Sequence, residues 1–593
     1  MPVPFVLLLL LLEALGVTQR AGDRLYDLAL RWKAPPPVAP ELLQIDIDEQ
    51  EVAATDPWPW SRDVFADGLT LLTEFDAGIV VFDTLFAHKA PLGVDRVKLR
   101  DELPQDFMTE FQRIEGNVQS LFDGIRRGSI RAQESEWYVS QLLRLIAESR
   151  LRLLDGLTEV ERDNDLYLGQ ALRFHGAVFV PIEILHPSEA SVLTYEETLR
   201  LEQYAVANLS GAPREEEAVR GLRLPVLTIA DAARGGGFRD EEPDADGVVR
   251  RARLVATYGG KVLGQVAFAA LLDYLNSPAV ELSGDKLVLR GARTVSRAPR
   301  DLEIPLTGNG RPLISWPRPA KGSAIRHLDW QQLLRHQKLE ESLIALVRAM
   351  DDAGFLGYLF GDQSILELYR QTQELRERVL DRTADVREWR EARSHFFGVL
   401  EGFLSGDAEG KIVDDAKRAL ASAVLAAEDR QAIRRVLDSA PVLFGDARST
   451  LRELTRLRAE LAQSLAGSFC VIALSGSSQE TIGRTPFGQE VSAADASVAA
   501  VNTILTAQPL REVPRWYVAA VAALLCLLTP LVYLRLRPAA AALSGLAAGV
   551  VVLALSAALL ALRSSWADPT AVAGGLLLSS LGNAAMKLRR ESD

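Results

Sequence analysis

The apolar and polar positions over residues 43–86 predict a strand, a helix and a second strand. Apolar residues alternate with polar ones over residues 43–49, as in a strand with one buried face. Residues 62–75 carry apolar side chains at helical spacing, and residues 78–83 form a nearly continuous apolar run that ends in Asp83. A helix that connects two strands in this way predicts that the strands are parallel and adjacent, with a right-handed crossover.

Acidic residues lie at the ends of both predicted strands. Asp46 and Asp48 belong to the first strand, and Asp83 closes the second. Open α/β sheets place ligands at the carboxyl ends of their strands, so we expect these carboxylates to lie near one edge. Carboxylate oxygens suit Mg²⁺ and Ca²⁺, but no glycine-punctuated calcium loop accompanies them. We therefore favour a structural network, neutralised by Arg62 or Arg250, over a metal site.

The order of these motifs resembles a known family. The aspartate-rich strand is followed by Trp-Pro-Trp-Ser-Arg at residues 58–62 and by Phe-Asp-Thr-Leu-Phe at residues 82–86, and Asp-Ala-Asp-Gly-Val-Val-Arg follows at residues 244–250. This arrangement resembles the second class of CHASE domains, which are extracytoplasmic sensory modules attached to bacterial adenylate cyclases, histidine kinases and serine/threonine kinases. The candidate polar network, either ligand-binding or structural, comprises Asp46, Asp48, Arg62, Asp83, Asp246 and Arg250.

Other stretches follow the family's order or depart from it. Residues 26–31 supply a Tyr-Asp-x-x-x-Arg run that the family often has. Helical patterns at about 101–160 and 330–465 resemble insertions, and for the second we favour a hairpin or bundle packed on itself over a functional coiled coil, because its heptad runs are short. Residues 497–502 lack the histidine that the family commonly carries there, so any ligand role of that histidine is absent.

Further apolar runs predict the rest of one mixed sheet. An apolar strand at residues 467–476 should restore the sheet after the second insertion. The other expected strands are residues 177–182, 224–229, 286–290, 302–306 and 313–316. The fold class that we expect is therefore mixed α/β, or α+β, with long helical insertions and a following three-helix transmembrane bundle.

Apolar segments at both ends of the chain predict a membrane protein. Residues 1–19 read as a signal anchor or transmembrane helix, with a cleaved signal peptide as the alternative. Basic residues at 535, 537, 587, 589 and 590 place the sensor domain, residues 20–514, outside the cytoplasm by the positive-inside rule. The expected membrane helices are residues 516–534, 539–562 and 570–586, with a cytoplasmic tail at residues 587–593.

The amino-acid composition excludes several classes of function. The 593 residues carry a formal net charge of −13 and show no basic stripe interleaved with aromatics, which argues against nucleic-acid binding. The two cysteines, Cys470 and Cys526, exclude a disulfide framework, and the six histidines show no metal-ligand spacing. We expect no cofactor and no catalytic activity.

These observations favour a multi-pass sensor of the plasma membrane with a periplasmic domain. The expected partners are the membrane, a separate effector such as an adenylate cyclase or a kinase, and a possible second copy of the chain. One alternative is a cell-envelope scaffold that binds partners through its helical insertions. A less favoured alternative is a metal-dependent hydrolase that uses Asp46, Asp48 and Asp83.

Overall fold

The computed structural model describes residues 17–48, 60–95, 98–99, 103–131, 135–186, 188–189, 192–214, 217–239, 242–294, 297–318, 324–358, 364–421, 426–475, 481–533 and 536–592. Their strands are β1 (Leu42–Asp48), β2 (Ile79–Phe82), β3 (Gly93–Val94), β4 (Glu161–Arg162), β5 (Val178–Ile184), β6 (Leu209–Ser210), β7 (Leu222–Arg223), β8 (Gly235–Phe238), β9 (Val255–Tyr258), β10 (Lys261–Gly264), β11 (Ala279–Ser283), β12 (Lys286–Thr294), β13 (Arg297–Pro305), β14 (Arg326–Asp329), β15 (Phe469–Ser475), β16 (Thr481–Arg484), β17 (Glu490–Ser492), β18 (Arg511–Glu512) and β19 (Ser565–Trp566).

The longest helices lie in the two insertions and in the C-terminal part of the chain. The helices are α1 (Val17–Leu30), α2 (Arg62–Glu74), α3 (Leu103–Arg126), α4 (Ser135–Glu159), α5 (Asn164–His175), α6 (Tyr195–Tyr204), α7 (Leu227–Ala230), α8 (Val266–Tyr274), α9 (Trp330–Asp352), α10 (Ile365–Leu380), α11 (Val386–Ser405), α12 (Ala408–Leu420), α13 (Ala427–Leu465), α14 (Ala493–Leu505), α15 (Arg515–Tyr533), α16 (Pro538–Arg563) and α17 (Thr570–Ser592).

The central sheet has the strand order β14-β1-β15-β2-β5-β8, and these neighbours are parallel. The short strand β7 pairs with β5 in the antiparallel direction. The expected parallel direction of β1 and β2 is confirmed, but the expectation that they are adjacent is wrong, because β15 lies between them. A crossover helix fixes the direction and hand of two strands and leaves room for a third, and the strongly apolar β15 fills that buried position.

Both faces of the sheet are covered. Leu43, Ile45 and Ile47 of β1 pack on one side with α2, α5, α9 and the end of α13. Leu42 and residues of β15 pack on the other side with α8 and α14. The alternation of a strand explains this division, because successive side chains point to opposite faces.

Four expected strands do not join the central sheet. Strands β12 and β13 contain the segments expected at residues 286–290 and 302–306, but they form a separate sheet in the order β13-β12-β11-β6. Residues 313–316 contribute isolated bridges rather than a strand. The run expected as a strand at residues 224–229 instead leads into the short helix α7, because Pro225 removes a backbone donor that a central strand needs.

The two insertions are helical, as the patterns predict. Helices α3 and α4 form a hairpin that begins and ends at the antiparallel pair β3 and β4. Helices α9 to α13 enclose an apolar core of their own, in which Phe396, Phe444 and Leu454 are fully buried. The second insertion therefore packs on itself and also on the sheet, because both ends of its helical run belong to the main core.

A buried polar network joins the second insertion to α2. Arg393 donates to both oxygens of Glu74 at 3.2 and 2.9 Å, and it also pairs with Glu340. Arg458 donates to the same Glu74 carboxylate at 2.7 Å, and its second contact is with the ring of His336 at 3.1 Å. Two carboxylates and two guanidinium groups from four helices are thus fixed against one another.

Helix α17 contacts both α15 and α16 in the C-terminal part of the chain. Within the described residues, only α16 is both long and apolar enough to cross a membrane. Gly545 of α16 lies against α17, since a Cβ there would be 1.9 Å from Ser580 Oγ, whereas a Cβ at Gly574 would meet nothing within 4 Å. Close helix packing within this group therefore depends on Gly545.

Candidate functional site

The aspartates expected at the carboxyl edge of the sheet occupy one row. Asp46 lies opposite Ala473 of β15, and Asp83 follows directly after the Phe82 position that pairs with Ile472. Their Cα atoms are therefore two strand spacings apart, about 10 Å. Asp48 closes β1, and its side chain lies outside the described part of the structure. The described residues contain no group of three His, Cys, Asp or Glu side chains that could hold a metal ion.

Asp46 binds neighbours from two distant parts of the chain. Its Oδ2 is 2.7 Å from Nδ1 of His327 on β14, and Oδ1 accepts from Nε2 of Gln44 at 3.0 Å. The same amide donates to Asp495, which caps α14. The hydrogen bond to Asp46 raises the pKa of His327, although partial burial opposes this effect.

The arginines near this edge have definite partners. Arg239 lies 3.4 Å from Asp83, and both side chains are nearly buried. Arg62 pairs with Asp165 at the start of α5 and donates to the carbonyl of His88. Burial lowers the pKa of Arg62 to about 10, so the group stays charged at neutral pH. Asp83 and Arg62, grouped together from the sequence, thus belong to different ion pairs.

Arg250 forms a buried clamp on the face of the sheet that α8 and α14 cover, where its neighbours Val249 and Ala252 pack. Its Nε and Nη2 donate to Asp27 of α1 at 2.8 and 2.7 Å. Nη1 and Nη2 also donate to the two oxygens of Asp246 at 2.9 and 2.8 Å, and Nη1 reaches Asp244 at 3.2 Å. The side chain is only 1% exposed. Burial alone would lower the pKa of Arg250, but the hydrogen bonds that it donates to Asp27 and Asp246 outweigh this effect and raise the pKa.

The turn before the clamp supplies its acidic residues. Gly247 has a φ of 78°, a conformation that glycine adopts without strain, and its N–H donates to the Asp244 carbonyl at 2.8 Å. The turn therefore presents Asp244 and Asp246 on the same side as Arg250, four residues after Asp246. The Asp-x-Asp-Gly-x-x-Arg run is thus both a turn and a carboxylate-binding motif.

The next residue, Arg251, connects the same turn to the segment that leads into α15. It lies 2.8 Å from Asp244, 3.5 Å from Glu512 and 3.6 Å from Asp23 of α1. Glu512 belongs to β18, which pairs with β19 just after α16. Arg250 and Arg251 together bind α1, the Asp-x-Asp-Gly turn and the segment that contains β18.

One aromatic contact and two hydrogen bonds also join the α1 region to the C-terminal helices. The ring of Tyr26 packs edge-on against Trp566 with centroids 5.5 Å apart. Lys33 donates to Ser564 at 2.8 Å, and Arg515 donates to Gln19 at 3.0 Å. Helix α1 and the C-terminal helices are therefore attached to the same part of the domain.

A cleft of about 1050 Å³ opens beside the clamp. Its walls come from α1, the Asp-x-Asp-Gly turn, the loops of the second sheet and the start of α15. Charged groups of both signs line it, among them Arg20, Asp23, Arg214, Asp285, Arg311 and Arg515. A pocket of this size and mixed charge suits a small polar ligand.

Sequence reasoning identified Arg250 and Asp246 but missed most of their surroundings. Asp27 was noted only as part of a Tyr-Asp-x-x-x-Arg run, and Arg251 and Glu512 were not singled out. The signal that could have found them is the pair of adjacent arginines after an Asp-Gly turn, since two buried guanidinium groups need several carboxylates. His327 was missed because β14 lies far from Asp46 in the chain.

One of the comparisons with known proteins found a match. A family model for the CHASE2 domain matches residues 5–354, more than half of the chain. The fold defines a mixed α/β domain, and the match assigns it to a family of sensor domains. The chain belongs to the CHASE2 family, whose members are extracytoplasmic sensor domains. No curated protein and no solved structure matches the chain. Strand β15 lies beyond the matched range and nevertheless occupies the centre of the sheet.

Proposed function

We propose that this protein detects an extracytoplasmic signal and passes it through membrane helices to a separate effector, such as an adenylate cyclase or a kinase. The observation that carries the proposal is the Arg250 clamp, which binds the sensor loop to α1. Arg251 extends the same connection to the segment before α15. A displacement of the loop would therefore move the helices at both ends of the chain.

The cleft beside the clamp is the site that we propose for the signal molecule. A ligand there would contact α1 and the Asp-x-Asp-Gly turn at once, so its binding energy could favour one arrangement of the two. The proposal places α15, α16 and α17 in the membrane as three spans, with the domain in the periplasm. Family membership supports the sensory role, and the apolar helix α16 supports the membrane attachment.

The test compares effector output for two conservative variants. The full chain is purified from native membranes, co-purifying proteins are identified, and cyclic-nucleotide or phosphoryl-transfer activity is measured in nanodiscs. Arg250→Lys keeps the charge but cannot bind two carboxylates bidentately, so we expect it to change effector activity at least threefold. The control is Arg223→Lys, which alters a half-exposed pair with Glu183 far from the junction.

An unchanged activity in Arg250→Lys, with the effector still bound, would contradict the proposal. Reproducible turnover by the chain without any other protein would contradict it as well. Retained binding of the effector in both variants is the control that separates lost coupling from lost assembly.

A further inference from the structure

The α3–α4 hairpin leaves a large part of its apolar surface exposed to solvent. Its two helices are antiparallel, since Glu110 of α3 accepts from Ser149 and Arg152 of α4 at 2.5 and 2.8 Å. No residue of α3 is buried. An amphipathic helix in a folded protein normally covers its apolar side, so the covering element for this hairpin is missing within the described chain.

Each helix has two apolar stripes, and only one of them faces the other helix. On α3 the inner stripe includes Ile114, Val118 and Leu121, which are half-buried against α4. The second stripe consists of Met108, Phe111 and Phe122, which are 62%, 53% and 67% exposed. Three apolar positions in each heptad, rather than two, are typical of bundles with more than two helices.

Helix α4 repeats this arrangement. Its inner stripe contains Leu142, Leu145 and Leu153 against α3. Its second stripe follows the spacing of one helix face and is exposed by 38% to 61% at Val139, Leu143, Ile146, Leu154 and Leu157. Leu151 is also exposed, by 62%, but it lies on a different side of the helix.

The two second stripes lie on the same broad side of the hairpin. With about 100° of rotation per residue, each second stripe is displaced by roughly 90° from its inner stripe, in the direction of increasing residue number. In an antiparallel pair these two displacements point to the same side. We call this surface the hairpin face, and it consists of Met108, Phe111, Phe122, Val139, Leu143, Ile146, Leu154 and Leu157.

The area of the hairpin face matches that of a stable interface. Eight side chains, each about half exposed, offer on the order of 100 Å² apiece. The sum is therefore about 800 Å², which is the area that each partner contributes to a standard protein interface. A single hairpin leaves this area in water, and a second hairpin of the same shape would cover it.

The charges within the hairpin face favour a second copy of the same chain. Its stripes are interrupted by one acid, Glu115, and one base, Arg150, and neither has a partner in the described part of the chain. Two copies brought together by a two-fold axis, with α3 facing α4, bring the acid of each toward the base of the other. The face carries no net charge, so two copies do not repel.

The position of the hairpin argues against a lipid occupant. The hairpin starts from β3 and β4, beyond the carboxyl end of β2. Helix α1 and the C-terminal helices attach through the Arg250 junction, whose neighbours Val249 and Ala252 pack on the face of the sheet that α8 and α14 cover. The base of the hairpin borders the opposite face, because Arg162 of β4 pairs with Asp63 of α2.

We infer that two copies of this chain associate through the hairpin face to form a four-helix bundle. The inference goes beyond the proposed signalling role and does not depend on it. The bundle buries the second stripes of α3 and α4 from both copies, and it joins two sensor domains through their first insertions.

The test measures the mass of the full chain in nanodiscs or detergent by light scattering over a range of concentrations. Wild type should form a dimer. The double variant Leu143→Glu with Ile146→Glu should raise the dissociation constant at least tenfold, because it places carboxylates in the centre of the interface. Phe111→Glu with Phe122→Glu should act in the same way from α3. The matched control Leu151→Glu should remain a dimer.

A wild type that is monomeric at all concentrations would overturn the inference, and so would dimers that survive both pairs of face substitutions. A dimer held by the membrane helices gives the latter result. Folding is verified by a cooperative melt for each variant, and the two pairs provide independent readings. Because mass requires no effector, a failed signalling assay with an intact dimer would contradict only the proposed function.

Discussion

Single arginines bind carboxylates from distant parts of this chain. Arg62 pairs with Asp165, Arg250 binds Asp27 and Asp246, and Arg393 joins Glu74 to Glu340. A guanidinium has five donors in a rigid fork, so one arginine can hold two carboxylates in a fixed geometry. Removing such a group leaves a buried charge unpaired, which costs much more than losing an exposed ion pair.

Arg62→Ala is expected to destabilise the sensor domain. Asp165 is only 2% exposed and would lose its counter-charge, at a cost on the order of 3 kcal/mol. The melting temperature of the purified chain measures this effect. Arg456→Ala is the control, because its pair with Glu460 is well exposed and its loss should leave the melting temperature almost unchanged. An unchanged melting temperature in Arg62→Ala, together with lost signalling, would instead assign Arg62 to a ligand site.

The partner of Arg62 could not be predicted from the sequence. Its charge and its position before α2 indicated a structural ion pair, and several acids were possible partners. The choice of Asp165 depends on how α5 packs against α2, and no local pattern specifies that contact. The same limit applies to Asp83, whose partner Arg239 follows strand β8.

At the scale of secondary structure, the apolar runs predict which segments form the buried strands. They do not predict the order of those strands in the sheet. Strands β1, β2, β5 and β15 follow from the pattern, because buried parallel strands read as apolar runs. Their order does not, since Phe469 of β15 pairs with Leu42 of β1 and Ile79 of β2, which are 427 and 390 residues away in the sequence. The second sheet was also missed, because alternating residues in β12 and β13 indicate a strand and leave its partner open.

Acidification should weaken the attachment of the second insertion. Burial lowers the pKa of His336 to about 4, so this side chain is neutral in the folded protein. In the unfolded chain its pKa is about 6.5, and the unfolded state therefore binds more protons below that pH. Stability that is present above pH 6.5 is lost as the pH falls toward 4. The loss at pH 5 should be about 2 kcal/mol relative to pH 7.

His336→Gln tests this pH dependence. Its side-chain oxygen can still accept from Arg458, but it does not titrate. Melting temperatures at pH 7 and pH 5 should differ less in this variant than in wild type. His395→Gln, on the exposed side of α11, is the matched control and should keep the wild-type difference. Equal pH dependence in wild type and His336→Gln would contradict the role of His336.

Across the entire chain, the Arg250 junction and the base of the hairpin lie on opposite faces of one sheet. The junction binds α1 and the segment before α15, while the hairpin face is open to a second copy. In the proposed function, a signal could therefore change both how two domains associate and how α15, α16 and α17 are arranged. The account requires the domain and the end of α17 to lie on opposite sides of the membrane.

A pair of topology reporters tests that requirement most directly. One reporter is inserted near Gly406, between α11 and α12, and the other is fused after Arg590 at the end of α17. The account predicts that the first is active only outside the cytoplasm and the second only inside, because α15, α16 and α17 make three crossings. If both reporters are active on the same side of the membrane, the account is wrong.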